Sequence, residues 1–300
     1  MKIAVFGSGG IGGYFGARLA AAGGDVHFIA RGGHLEAIRE NGLRIESPLG
    51  DAHVDKARAT DDPAAVGHAD MVMVAVKLYD TDEAVRACQP LVGPDSTVAS
   101  FQNGVTGGDA LTAAFGPQRV IGGTAAIAAM ISAPGVITHT GAIATIAFGE
   151  WDGIASPRTE ALLKGFENAG VEATLSGDVN AAIWSKFVFL SSFSAITCAL
   201  RLPIGPIRED PDHWSLFRRA MEETFAVARA RGVAPGVGIV LGRIGSGLCL
   251  LLGGLVAAAV AFVMAFLSIA LMIRWLRRAG FMPFVLYRLF LGAALLFWAA

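Results

Sequence analysis

Five places in this chain carry residue types that could do chemistry in the settings where they occur. The first is Gly7-Ser8-Gly9-Gly10-Ile11-Gly12, which satisfies G-x-G-x-x-G. It leaves the apolar run KIAVF and opens a segment of small and apolar residues with helical character, so a strand–turn–helix is predicted around it. In that setting each glycine has a task. Gly7 permits the tight turn, Gly9 lets the backbone approach a pyrophosphate, and Gly12 lets the helix pack closely on the strand. The free N–H groups at the helix start would face the phosphates. A glycine-rich loop can also simply turn the chain, but this context favours a bound dinucleotide.

The second place is the end of the next strand, Ile29-Ala30-Arg31. A site for the unphosphorylated cofactor would put an acid there, on the ribose 2′-hydroxyl. Arginine can instead pair with a 2′-phosphate in bidentate fashion, so Arg31 predicts NADP. Lys77 and Asn103 follow two further strands, where ligands of such sheets bind. On spacing alone, an isolated lysine such as Lys77 is more often a solvated surface group, and Asn103-Gly104 is often only a turn. The fifth is Lys186, set among bulky apolar residues in IWSKFVFL. Burial would lower its pKa and fit it to donate a proton near neutrality. On composition alone, a lysine snorkelling from an apolar face explains it better.

These positions need an α/β frame to bring them together. Apolar runs at 2–6, 25–30, 70–76 and 97–101, with more strands within 119–149, alternate with helical segments near 80–88 and 107–115. That alternation predicts a doubly wound Rossmann sheet. Longer helices follow at about 156–168, 179–200 and 212–231. The expected organisation is a nucleotide-binding domain over 1–165, a truncated helical domain over 166–235, and a transmembrane-like helical tail over 236–300.

Composition supports the division. The 300 residues are 54% hydrophobic and only 16% charged, with a mean hydropathy of +0.55, whereas soluble domains carry about 25% charged residues. Residues 1–235 hold all 25 acidic residues against 19 basic ones, for a net charge of −6. The last 65 residues hold five charges, all arginine: Arg243, Arg274, Arg277, Arg278 and Arg288. The whole chain's net charge of −1 gives no basic face for nucleic acid. Cys88, Cys198 and Cys249 are too few and too widely spaced for a disulfide framework or a zinc site, so no metal is expected and a reducing cytoplasm fits the body. The N-terminal apolar run stops at Gly7, which argues against a signal peptide. Residues 244–273 are 30 consecutive uncharged positions, longer than the roughly 20 apolar residues a membrane helix needs. A tail of that kind would attach the full chain to a membrane.

In order, GSGGIGGYFGARLA, IARGGHLEAIRENGLRI, VKLYDT, FQNGV and IWSKFVFLSSFSAITCALRLPIGPIR resemble the 2-dehydropantoate 2-reductases (ketopantoate reductases) over about residues 1–235. The resemblance implies reduction of 2-dehydropantoate to (R)-pantoate with NADPH, in pantothenate and coenzyme A synthesis. It implies Gly7–Gly12 on the pyrophosphate, Arg31 on the 2′-phosphate, Lys77 and Asn103 on the cofactor, and Ala128 beside the nicotinamide. It implies Lys186 as the catalytic acid, with Asn103 also near substrate. Some members carry asparagines downstream of the lysine. Leu190 stands one turn on here, and the next candidates for the substrate are Thr197, on the face of Lys186, and Ser194 to one side. The family's downstream glutamate has no counterpart, because no acid follows Glu223. Other NADP-linked 2-oxoacid or ketone reductases, or a membrane-tethered dinucleotide-binding module without turnover, are the alternatives.

The segment RWLRRAGFMPFVLYRLFLGAALL within 240–300 resembles the C-terminal end of undecaprenyl-diphosphatases, without that family's acidic motif. The arginines after the long apolar run favour the cytosol, as does an NADPH-using body, yet the two lie at opposite ends of the run. This conflict leads to the expectation of a chimera: a reductase cut near residue 235 and joined to a membrane fragment.

Overall fold

The computed structural model describes residues 1–236. The chain runs β1 (Lys2–Phe6), α1 (Gly10–Ala21), β2 (Asp25–Ile29), α2 (Gly32–Asn41), β3 (Leu43–Glu46), β4 (Ala52–Val54), β5 (Arg58–Thr60), β6 (Ala69–Val74), α3 (Thr81–Cys88), β7 (Val92–Ser100), α4 (Gly107–Phe115), β8 (Val120–Ala133), β9 (Val136–Gly149), α5 (Pro157–Asn168), β10 (Glu172–Leu175), α6 (Val179–Leu200), α7 (Ile204–Glu209) and α8 (Pro211–Ala230). The strands form one ten-stranded sheet in the order β5-β2-β1-β6-β7-β8-β9-β3-β4, with β10 also paired to β9. All pairs are parallel except β8–β9 and β3–β4. This is the expected α/β Rossmann-like sheet.

The central strands are continuously apolar because both of their faces are covered. Side chains alternate across a strand. Ile3, Val5, Met71 and Met73 point into one core layer, with Phe15, Phe28, Phe148 and Phe166. Ala4, Phe6, Val72 and Val74 point into the other, with Cys88, Leu91, Leu111 and Phe115. Phe15 and Phe166 meet edge to face, ring centres 6.2 Å apart, and so join α1 to α5. Cys88 is buried in the second layer, and burial pushes its thiol up to about 12. It is a packing residue.

The sheet extends past the expected boundary at residue 165, since β10 pairs with β9 from Glu172 to Leu175. Helices dominate from Val179 onward. Asp178 caps α6 by accepting from the Ala181 N–H at 2.8 Å, and α6 ends at Arg201, whose φ of 55° is left-handed. By length and composition α6 could cross a membrane. Here it packs against α8 and β8, with Trp184 in a cluster with Ala228 and Val233. The expected membrane run at 244–273, the five tail arginines and Cys249 lie outside the described residues.

Candidate functional site

A cleft of about 510 Å³ opens at the carboxyl ends of β1 and β6. These are the neighbours between which the strand order reverses: the chain goes from β1 out to β2, then returns to β6 on β1's other side. That switch point is where ligands of doubly wound sheets bind. Residues 7–11, Arg31, His34, Lys77 and Asn103 line the cleft, with Ile127, Ala129 and Ile131 from β8.

The glycine loop is built for close approach. Gly7 has φ +100°, and a Cβ there would sit 2.8 Å from the Val76 nitrogen. A Cβ on Gly12 would strike the Gly7 carbonyl and lie 2.8 Å from Val5. Gly12 therefore sets the spacing of helix and strand and does not line the cleft. A Cβ on Gly10 would collide with the Ala129 carbonyl, a packing demand the motif does not encode. A Cβ on Gly9, by contrast, would meet nothing within 4 Å. Helix α1 has no side-chain cap at Gly9, so its first N–H groups stay available to an anion. Open space at Gly9 and uncapped N–H groups fit a pyrophosphate. The Ser8 hydroxyl does not contribute to that cradle, because it donates to the Ile29 carbonyl at 3.0 Å and staples the loop to β2.

Arg31 caps the start of α2 at the cleft mouth and is ion-paired with Glu83 of α3 at 2.7 Å. Both side chains are more than half exposed, so the pair is weak and exchangeable. Lys77 is exposed on the same rim. Gln102, which sequence reasoning left without a role, is buried. Its amide donates to Val76 O at 3.1 Å, to Lys77 O at 3.4 Å and to Thr81 Oγ1 at 2.9 Å, and its oxygen accepts from Ser100 Oγ at 3.0 Å. It ties the end of β6 to the end of β7 and holds Lys77 and Asn103 in place. Its signal was faint: an amide closing an apolar strand, one residue before Asn103.

Lys186 projects from α6 to the sheet. Its ammonium donates to Asn103 Oδ1 at 2.6 Å and to the Ala125 carbonyl of β8. Burial lowers its pKa to about 8. The arrangement unites a proton donor with Asn103, which also lines the nucleotide cleft. A lysine with two N–H groups held by neutral acceptors keeps one for a substrate oxygen.

Three expected positions fall elsewhere. Ala128 does not line the cleft; its neighbours Ile127 and Ala129 do, since alternate residues of a strand face opposite ways. Thr197 shares the face of Lys186, but at about 1.5 Å of rise per residue it lies roughly 16 Å away along the axis, and Ser194 roughly 12 Å. The Thr197 hydroxyl donates to the Phe193 carbonyl at 2.7 Å, and Ser194 is exposed. The helical wheel gave their direction but not their distance.

Comparison with known proteins places this geometry. The family model for "Ketopantoate reductase PanE/ApbA" matches residues 3–153, and its C-terminal companion matches 178–244. A 2-dehydropantoate 2-reductase of Mesorhizobium japonicum is 33% identical over 260 residues, covering 80% of this chain and 79% of its own. An uncharacterized oxidoreductase of Bacillus subtilis, YkpB, is 32% identical over 233 residues, covering 78% and 76%. The crystal structure of 2-dehydropantoate 2-reductase from Porphyromonas gingivalis superposes with a TM-score of 0.75 at 32% identity, covering 81% of this chain and 88% of that one. D-mandelate dehydrogenase, at 19% identity and a TM-score of 0.72, shares the fold.

The resemblance of 240–300 to undecaprenyl-diphosphatases is overturned. The reductase family's C-terminal model runs to residue 244, across the junction expected near 235.

Proposed function

The chain belongs to the ketopantoate reductase family, and from that premise we propose that it reduces 2-dehydropantoate to (R)-pantoate with NADPH, as a step in pantothenate synthesis. It is an NADP-dependent oxidoreductase. The observation that carries the reading is Lys186, whose ammonium meets Asn103 beside a cleft shaped for a dinucleotide. NADPH, when bound, supplies the hydride. The first turn of α1 holds the pyrophosphate, Arg31 exchanges Glu83 for the 2′-phosphate, and Lys77 adds a second positive charge at the rim. Asn103 orients Lys186, whose ammonium polarises the keto oxygen and gives it the proton as the alcohol forms.

The test is NADPH oxidation, followed at 340 nm, by the full chain in detergent with 2-dehydropantoate. Saturable turnover with an NADPH preference over NADH is expected. Turnover only with a different 2-oxoacid in a substrate panel would replace the substrate. Cofactor binding without any turnover would favour the binding-module reading, which the missing acid after Glu223 motivates. The work is proposed to be cytoplasmic, where NADPH is supplied. Attachment to a membrane rests on the 30 uncharged residues 244–273, and fractionation of the full chain with and without carbonate washing tests it.

A further inference from the structure

We propose that His34 is a positioning residue for the cofactor: its neutral imidazole clamps the phosphate-binding loop to the β8–β9 turn and steadies the helix end that presents Arg31. This deepens the cofactor reading of the cleft and rests on it.

His34 is the third residue of α2, one turn from the Arg31 cap. It is half-buried and lines the cleft. Its Nε2 lies 3.0 Å from the Ser8 carbonyl. Its Nδ1 lies 3.0 Å from the Gly135 nitrogen. The partners dictate the ring's state. A carbonyl can only accept, so Nε2 carries the proton. A backbone N–H can only donate, so Nδ1 is bare. A charged ring would have donors on both nitrogens and would lose Gly135. Burial lowers the pKa of His34, against the smaller pull of the Ser8 carbonyl, and so favours the neutral form.

The two partners are 26 and 101 residues away in sequence. Ser8 belongs to the loop that cradles the pyrophosphate. Gly135 closes the hairpin whose first strand supplies Ile127, Ala129 and Ile131 to the opposite wall. One imidazole thus fixes the cleft's width at its phosphate end. Glutamine can reproduce both bonds, with its amide N–H toward Ser8 and its oxygen toward Gly135. Leucine can reproduce neither.

The experiment measures the NADPH dissociation constant and kcat at saturating NADPH for the full-length wild type, His34→Gln and His34→Leu. Losing both bonds in His34→Leu is expected to weaken NADPH roughly tenfold or more. kcat should hold within about twofold, and His34→Gln should bind within about threefold of wild type. Wild-type affinity in His34→Leu, or equal loss in both variants, overturns the clamp. If the wild type fails to bind NADPH at all, the cofactor reading falls, and the clamp with it. Nitrogen-15 NMR of the wild-type imidazole checks the premise without relying on any variant's folding. A protonated Nε2 with bare Nδ1 is expected, and the opposite tautomer overturns the proposal.

Discussion

In the proposed reaction Lys186 gives up a proton near neutrality, and its surroundings suit it to that. Burial brings its pKa to about 8, so it remains mostly charged at pH 7 yet is a stronger acid than a solvated lysine. Since the protonated form is the one that acts, kcat should stay level below about pH 8 and fall tenfold per unit above it. Lys186→Ala should lower kcat by about 10²–10⁴ and leave NADPH affinity within a few-fold, as read by fluorescence titration. Loss of binding and turnover together would mean that Lys186 only holds α6 in place. At the other end of the cleft, Arg31 pairs with a carboxylate that the proposed 2′-phosphate contact would displace. Glu83→Gln removes that competitor and a like charge, so the Km for NADPH should fall a few-fold while that for NADH changes little. A rise would instead make Glu83 a support that holds Arg31 ready.

At the scale of elements, α5 is tied to the end of β9 by a half-buried ion pair. Arg158 grips Glu150 in bidentate fashion, with Nε to Oε1 at 2.7 Å and Nη2 to Oε2 at 2.5 Å. Desolvation alone would raise the Glu150 pKa, but hydrogen bonds from Arg158 and Ser156 outweigh it and the net shift is downward. A depressed carboxylate pKa stabilises the fold above the unfolded-state value, and that stability is lost as pH falls through the folded-state one. Arg158→Leu should cost about 2–3 kcal/mol at pH 7, with the difference from wild type shrinking toward pH 3 in urea melts. A pH-independent difference would assign the loss to packing. The main elements were legible because buried parallel strands read as apolar runs and capped helices as long periodic ones. Helix α6 spans Val179–Leu200, as the sequence indicated. The strands β3, β4, β5 and β10 are three or four residues long, too short for a pattern, and α2 buries only Leu35 and Ile38. The glycine loop was legible from residue type and local setting, whereas Lys186 drew notice there but took its role only from the family resemblance. His34 and Gln102 were not, because their roles are set by partners distant in sequence.

The whole described body bears on how the cofactor and stability are linked. The cleft walls come from β1, β2, β6, β7 and β8 with their following loops, and Lys186 bonds α6 to two of these, to the loop after β7 through Asn103 and to β8 through Ala125. A ligand that binds only the folded state stabilises all of them together. NADPH at a hundred times its Kd adds about 2.7 kcal/mol. For a body of this size each kcal/mol raises Tm by roughly 2–4 °C, so a rise of roughly 5–10 °C is expected. NADH at the same concentration should raise Tm less, because it lacks the group that displaces Glu83 from Arg31. In Arg31→Ala the two cofactors should then produce equal, small rises, since the proposal puts the discrimination in one side chain while the pyrophosphate cradle serves both. If wild type gives equal rises with the two cofactors, or if Arg31→Ala keeps the difference, the phosphate is selected elsewhere on the rim, and Lys77 is the residue to test next.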